Sequence, residues 1–185
     1  MSEKPNYTPE SEIDAEEETF TTLPEYISNF EKEIGFDQKV DKRLEEYQTG
    51  HPDDPLSSSD KTDLINTMRT DKFYKDSLWN WRENHKISIE QFDLPEEASN
   101  AIYKYWQTIE NFQRDQRKDF LSKEDIINYD IKRSADHTFA AQKLVESGLA
   151  PNITVGRLLI QFMSIEKGYD KEDRGRDEKR LNYFR

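Results

Sequence analysis

The sequence predicts an all-α protein, and three observations carry that prediction. Apolar residues recur at the 3.6-residue period over most of the chain. Ser, Thr, Asp and Asn stand just before these stripes, and Gly just after them. Only six Gly and three Val occur in 185 residues, too few for the turns and β-branched strands of a sheet protein. The expected architecture is an irregular multi-helix bundle. It is built on a long antiparallel helical hairpin, about 94–119 and 123–147, with a final helix over about 152–167. An acidic N-terminal tail and a charged C-terminal tail flank it, both expected to be disordered.

Residues 1–20 carry seven acidic side chains against Lys4 alone, with Pro5 and Pro9 breaking any helix, which reads as an acidic tail. A short-helix region over 21–92 follows. Tyr26, Ile27, Phe30 and Ile34 define a first helix over about 24–34, opened by Pro24 and closed by Gly35. Phe36, Val40, Leu44 and Tyr47 define a second, closed by Gly50. His51–Leu56 is a Pro-rich loop. Ser57 with Asp60 signals a cap for a third helix carrying Leu64, Ile65 and Met68. A fourth begins near Thr70, either separate or after a kink, with Phe73, Tyr74, Leu78 and Trp81 as its inner face. Ser88 with Gln91 reads as a short turn.

The helical core is expected over 93–168. Asp93, Pro95 and Glu96 start a long helix whose face is Ala98, Ile102, Tyr105, Trp106, Ile109 and Phe112. Phe120–Leu121–Ser122 is short enough to force the next helix back antiparallel. Ser122 with Asp125 caps that helix, and Ile126, Ile127, Ile131, Ala135, Phe139 and Leu144 are its expected core stripe. On this phasing His137 lies opposite the stripe, in solvent. Asn152 opens the last helix, with Val155, Leu158, Leu159, Phe162, Met163 and Ile165 inward. Residues 169–185 form a charged tail that ends basic and aromatic, with five basic and two acidic residues from Arg174 onward.

Composition excludes several classes. No run of about 20 apolar residues is present, so no membrane-spanning helix is expected. An acidic N-terminus lacks the basic and apolar regions of a secretory signal. With no cysteine there is no disulfide framework, thiolate metal site or cysteine nucleophile. These features together suit a cytoplasmic or otherwise intracellular protein, or a virion component.

His51, His85 and His137 show no metal-binding spacing, and His85 at a helix end fits the helix dipole. Asp53, Asp54, Asp60 and Asp63 lack the Gly and terminal Glu of a calcium loop and read as turn and cap residues. No phosphate-binding loop or nucleophile elbow occurs. No catalytic residue, cofactor or metal site is assigned, and the chain is read as a non-enzyme.

The expected function is a protein–protein interaction or assembly role, as a scaffolding or adaptor component. Viral and phage accessory proteins share the broad composition by analogy. The candidate docking residues are Arg180, Tyr183, Phe184 and Arg185 in the basic-aromatic tail, with Trp79 and Tyr103 on helices. Aromatic side chains and Arg dominate binding hot spots. Trp79 and Trp81 lie about 200° apart on a helix and so face different neighbours. The expected partner is another protein, with self-association left open.

Two alternatives rest on charge and geometry. The net charge of −12 could mimic nucleic acid, although half of it lies in residues 1–20. Residues 139–166 resemble a helix-turn-helix in outline. The second helix offers only Arg157 before Lys167, which disfavours direct nucleic-acid binding.

Overall fold

The computed structural model describes residues 22–85, 92–118 and 121–169. Within them the chain forms seven helices. These are α1 (Leu23–Glu33), α2 (Phe36–Gly50), α3 (Ser58–Met68), α4 (Lys72–His85), α5 (Glu96–Lys118), α6 (Lys123–Glu146) and α7 (Ile153–Glu166). The all-α class and the α5–α6 hairpin are therefore as expected, and α7 packs on α6. The expected tails, apart from Tyr169, and the Ser88–Gln91 turn lie outside the described residues.

Local chemistry sets the helix boundaries. The Thr22 hydroxyl accepts from the Glu25 N–H at 3.3 Å, and Pro24 fills the first turn of α1. Gly35 takes φ +62° between α1 and α2, a left-handed turn that costs Gly little. Reciprocal capping boxes start two helices: Ser57 with Asp60 for α3, and Ser122 with Asp125 for α6. In both, the Ser side chain and backbone hold the carboxyl group below its usual range. Asn152 caps α7 by accepting from the Val155 N–H at 2.9 Å. The long hairpin helix starts at Glu96, where the Pro95 carbonyl accepts from the Ser99 N–H. Thr70 and Asp71 lie in a turn that separates α3 from α4.

A single apolar cluster runs through both halves of the chain. It joins Leu23, Tyr26 and Phe30 of α1 and Tyr74, Leu78 and Trp81 of α4 to Ile102 and Ile109 of α5, Leu144 of α6, and Leu159 and Phe162 of α7. Rings fill much of the first half. Tyr26 meets Trp81 edge-on at 4.9 Å, and Phe30 meets Tyr74 at 5.1 Å. Polar bonds tie the elements together at the edges of this core. Arg69 donates twice to Glu31, at 2.7 and 2.9 Å, and the Tyr74 hydroxyl donates to the same carboxylate at 2.7 Å.

Two expected faces are corrected. Phe73 is not part of the inner face of α4: it is 56% exposed, with the Lys39 ammonium over its ring. The larger correction concerns α6. Its buried residues are Tyr129, Asp136, Ala140, Ala141 and Leu144. Of the expected stripe only Leu144 is buried and Ile126 half-buried, while Ile127, Ile131, Ala135 and Phe139 face outward. At 100° per residue, Ile131 and Ala140 lie on opposite sides of the helix.

Candidate interaction surface

The orientation of α6 follows from what fits between its neighbours. The helix packs on α5 along one side and on α7 along the other. The approach to α7 is close: a Cβ built on Gly156 would lie 3.0 Å from the Ala141 carbonyl oxygen and 3.2 Å from the Ala141 Cβ. Only small side chains fit such a seam, which places Ala140 and Ala141 inward.

Asp136 locks the α5 side. It is 7% exposed and accepts from the Thr108 hydroxyl of α5 at 2.8 Å. Lys132 donates to Asp136 at 2.8 Å and to the Thr108 oxygen at 2.6 Å, and Lys104 pairs with the second carboxylate oxygen at 3.3 Å. Burial pushes the Asp136 pKa up, but the bonds from Lys132, Thr108 and Lys104 outweigh it and hold the group below its usual range.

His137 completes the lock, and here too the sequence expectation is corrected. Its ring stacks on Tyr105 of α5 at 4.6 Å, and Nε2 lies 3.0 Å from the Arg157 carbonyl oxygen of α7. That contact requires a proton on Nε2, which donates to the carbonyl oxygen. Burial lowers the pKa to about 4; the Arg157 carbonyl opposes this, and the charges of Arg157 and Arg133 add to it. The ring is thus a structural wedge between three helices. Further along, Tyr129 stacks flat on Phe112 of α5.

These inner contacts leave a distinct outer face. Ile127, Ile131 and Phe139 are 45%, 63% and 47% exposed, at a spacing that puts them on one side of α6 with Ala135. Ile131, Ala135 and Phe139 line a shallow groove with Asp130, Ser134, Thr138 and Gln142. Ile127, Asn128, Ile131, Ser134, Ala135, Thr138, Phe139 and Gln142 form an uncharged strip along this side, flanked by Asp130 and Lys132. Charged residues make up 36% of the chain, so a neutral strip of four turns stands apart from the rest of the surface. The Lys104 and Lys143 ammoniums border it, 5.9 and 5.6 Å from the Phe139 ring centre.

The sequence-predicted docking residues are placed separately. Tyr103 of α5 is 57% exposed. Trp79 of α4 is half-buried against the core, edge-on to Phe162 at 5.3 Å. Trp81 is buried against Tyr26 and Phe30, so the two tryptophans meet different neighbours of the same core. Arg180, Tyr183, Phe184 and Arg185 lie outside the described residues. Sequence reasoning missed the α6 face because it assigned those very residues to the core. The available signal was a second stripe on the same helix, Tyr129, Ala140, Ala141 and Leu144, which makes α6 apolar on two sides.

Among the described residues no group of three or more His, Asp or Glu is placed to hold a metal ion. Among the same residues no helix is long and apolar enough to cross a membrane. The class the structure defines is thus an all-α helical protein whose sixth helix exposes Ile127, Ile131 and Phe139 on one side. Comparison with known protein families, curated proteins and solved structures finds no match.

Proposed function

We propose that this is a non-enzymatic interaction or assembly protein that engages another protein through the outer face of α6. The observation that carries the reading is the outward position of Ile127, Ile131 and Phe139 in a neutral strip. Burying a side chain of this kind contributes about 1.5–3 kcal/mol. Three in register on one rigid helix make a contact surface that a partner helix or apolar ridge can cover. The basic-aromatic tail, with Arg180, Tyr183, Phe184 and Arg185, is a second docking element in this proposal, and exposed Tyr103 is an accessory contact. An intracellular setting belongs to the same reading.

The arrangement of α7 supports docking over DNA binding by 139–166. Val155, Leu159, Ile160, Phe162 and Met163 are buried, so the body of the second helix is core. A recognition helix needs an open face with cations for phosphates.

The test is affinity capture with the intact chain and with an Ile131→Asp/Phe139→Asp variant of equal helix content. A bound protein that the variant loses supports the reading. Equal capture by both chains overturns the role of α6. Deleting residues 174–185 then measures the contribution of the tail.

A further inference from the structure

The α6 face is close to self-complementary, and this points to its occupant. Aligning α6 antiparallel with a second α6 about residue 133 sets each position i opposite 266 − i. Ile127 then meets Phe139 of the second copy, and Ile131 meets its Ala135. Each contact occurs twice, as two-fold symmetry requires. Large side chains oppose each other at the ends, and large meets small at the centre. The outward polar residues pair as well, Asn128 with Thr138. We propose that the protein forms a symmetric dimer through antiparallel packing of α6 on α6. This rests on the reading of α6 as the docking surface and names the partner as a second copy of the chain.

Charge selects both the partner and the register. The centre of the strip is uncharged, with Asp130 and Lys132 at its edges, so a second copy buries no charge at the middle of the contact. With the axis at residue 133, Glu124 lies opposite Gln142 and beside Lys143 of the second copy. Shifting the axis to residue 135 would set Glu124 against Glu146 of the second copy, two carboxylates at each end. The shifted register also places Ala135 on Ala135 and leaves the centre underfilled. Beyond the strip, each chain carries a net charge of −12. Two such chains repel at long range, and salt screens that repulsion while leaving the apolar contact intact. The dimer therefore tightens as salt rises. Capture of an oppositely charged partner would weaken instead.

The absence of cysteine makes the register directly measurable. Positions 127 and 139 are 12 residues apart on one helix, about 18 Å at 1.5 Å per residue. In the proposed dimer the two copies of position 127 are separated by about the same distance, too far for a disulfide. An Ile127→Cys chain and a Phe139→Cys chain should therefore bridge to each other under mild oxidation but not to themselves.

The experiment is mass measurement by sedimentation or light scattering on the full chain, from about 1 µM to about 500 µM, where a modest helix contact dissociates. It is repeated at about 50 mM and about 500 mM salt. The mass should rise from 22.0 kDa toward twice that value, at lower protein concentration in high salt. Ile131→Glu should stay monomeric throughout with unchanged helix content, while Phe73→Glu, which alters an exposed ring elsewhere, should dimerise like the parent chain. The Ile127→Cys and Phe139→Cys mixture should give a cross-linked dimer.

A monomer at every concentration and both salts overturns the proposal, as does a dimer that survives Ile131→Glu. Bridging by Ala135→Cys alone, with none in the mixture, overturns the pairing. If the chain is monomeric yet still captures a different protein through α6, the dimer fails and the docking reading stands. If α6-dependent capture fails too, both fall.

Discussion

Gly156 of α7 and Ala141 of α6 touch so closely that one added carbon at Gly156 would sit 3.0 Å from the Ala141 carbonyl oxygen. This contact sets the distance between the two helices and therefore the rotation of α6. A larger residue at either position would separate the helices and disturb the core around Leu144, Val155 and Leu159.

Gly156→Leu should accordingly destabilise the protein by about 2–3 kcal/mol through overpacking. The unfolding midpoint in urea, read by circular dichroism, checks this. Gly156→Ala is the finer probe: it gains about 1 kcal/mol of helix propensity and must displace a backbone oxygen. An unchanged midpoint for Gly156→Leu would show that the seam is not tight.

The Asp136–Thr108 bond links α6 to α5 inside a cluster with two cations, Lys104 and Lys132. Asp136→Ala leaves the Thr108 hydroxyl without its buried acceptor and should cost about 2 kcal/mol. Asp136→Asn keeps the shape and an acceptor oxygen and should cost less. Chemical denaturation of both variants tests the order, and an Asn variant as damaged as the Ala one would contradict it.

His137 makes stability depend on pH in a defined window. Free histidine titrates near 6.5, and His137 in the fold near 4. Above 6.5 both states are neutral and nothing is lost. Between these values the unfolded chain takes up a proton that the native chain excludes. Stability therefore falls by up to about 3 kcal/mol as pH drops through that window, and this contribution levels off below it. The difference in unfolding free energy between the parent chain and His137→Phe, measured across the window, isolates it from the carboxylates. A constant difference would refute the buried neutral ring.

Arg69 holds Glu31 with two bonds, and Tyr74 donates to the same carboxylate, so α1 is fastened to the α3–α4 junction. Burial lowers the Arg69 pKa, but Glu31 outweighs it and the net shift is upward. Arg69→Lys keeps the charge but loses the planar fork. It should cost about 1 kcal/mol, as one charge-assisted bond is lost. Thermal unfolding would show the drop, and no change would mean that charge alone suffices.

Much of the fold was legible in the residues themselves. Ser57–Asp60 and Ser122–Asp125 announced two helix starts, and Asn152 a third, because these caps are made within four residues of sequence. Tyr26, Phe30, Ile102, Ile109, Leu159 and Phe162 were also readable as core, since each helix concerned has one dominant apolar face. The candidate surface was not legible. In α6, Ile127, Ile131 and Phe139 compete with Tyr129, Ala140 and Leu144 for the inner side, and hydrophobicity alone favours the bulkier set.

The sequence by itself thus determined the helical class, the helix boundaries and the long hairpin, since capping and periodicity are local properties of the chain. Tertiary structure decided which side of α6 faces inward. Gly156 brings α7 within reach of small residues only, Thr108 supplies the partner that lets Asp136 be buried, and Tyr105 and Arg157 hold His137 between them. These contacts join residues 15 to 32 positions apart, so the steric fit that turned Ile127, Ile131 and Phe139 outward exists only once three helices have come together.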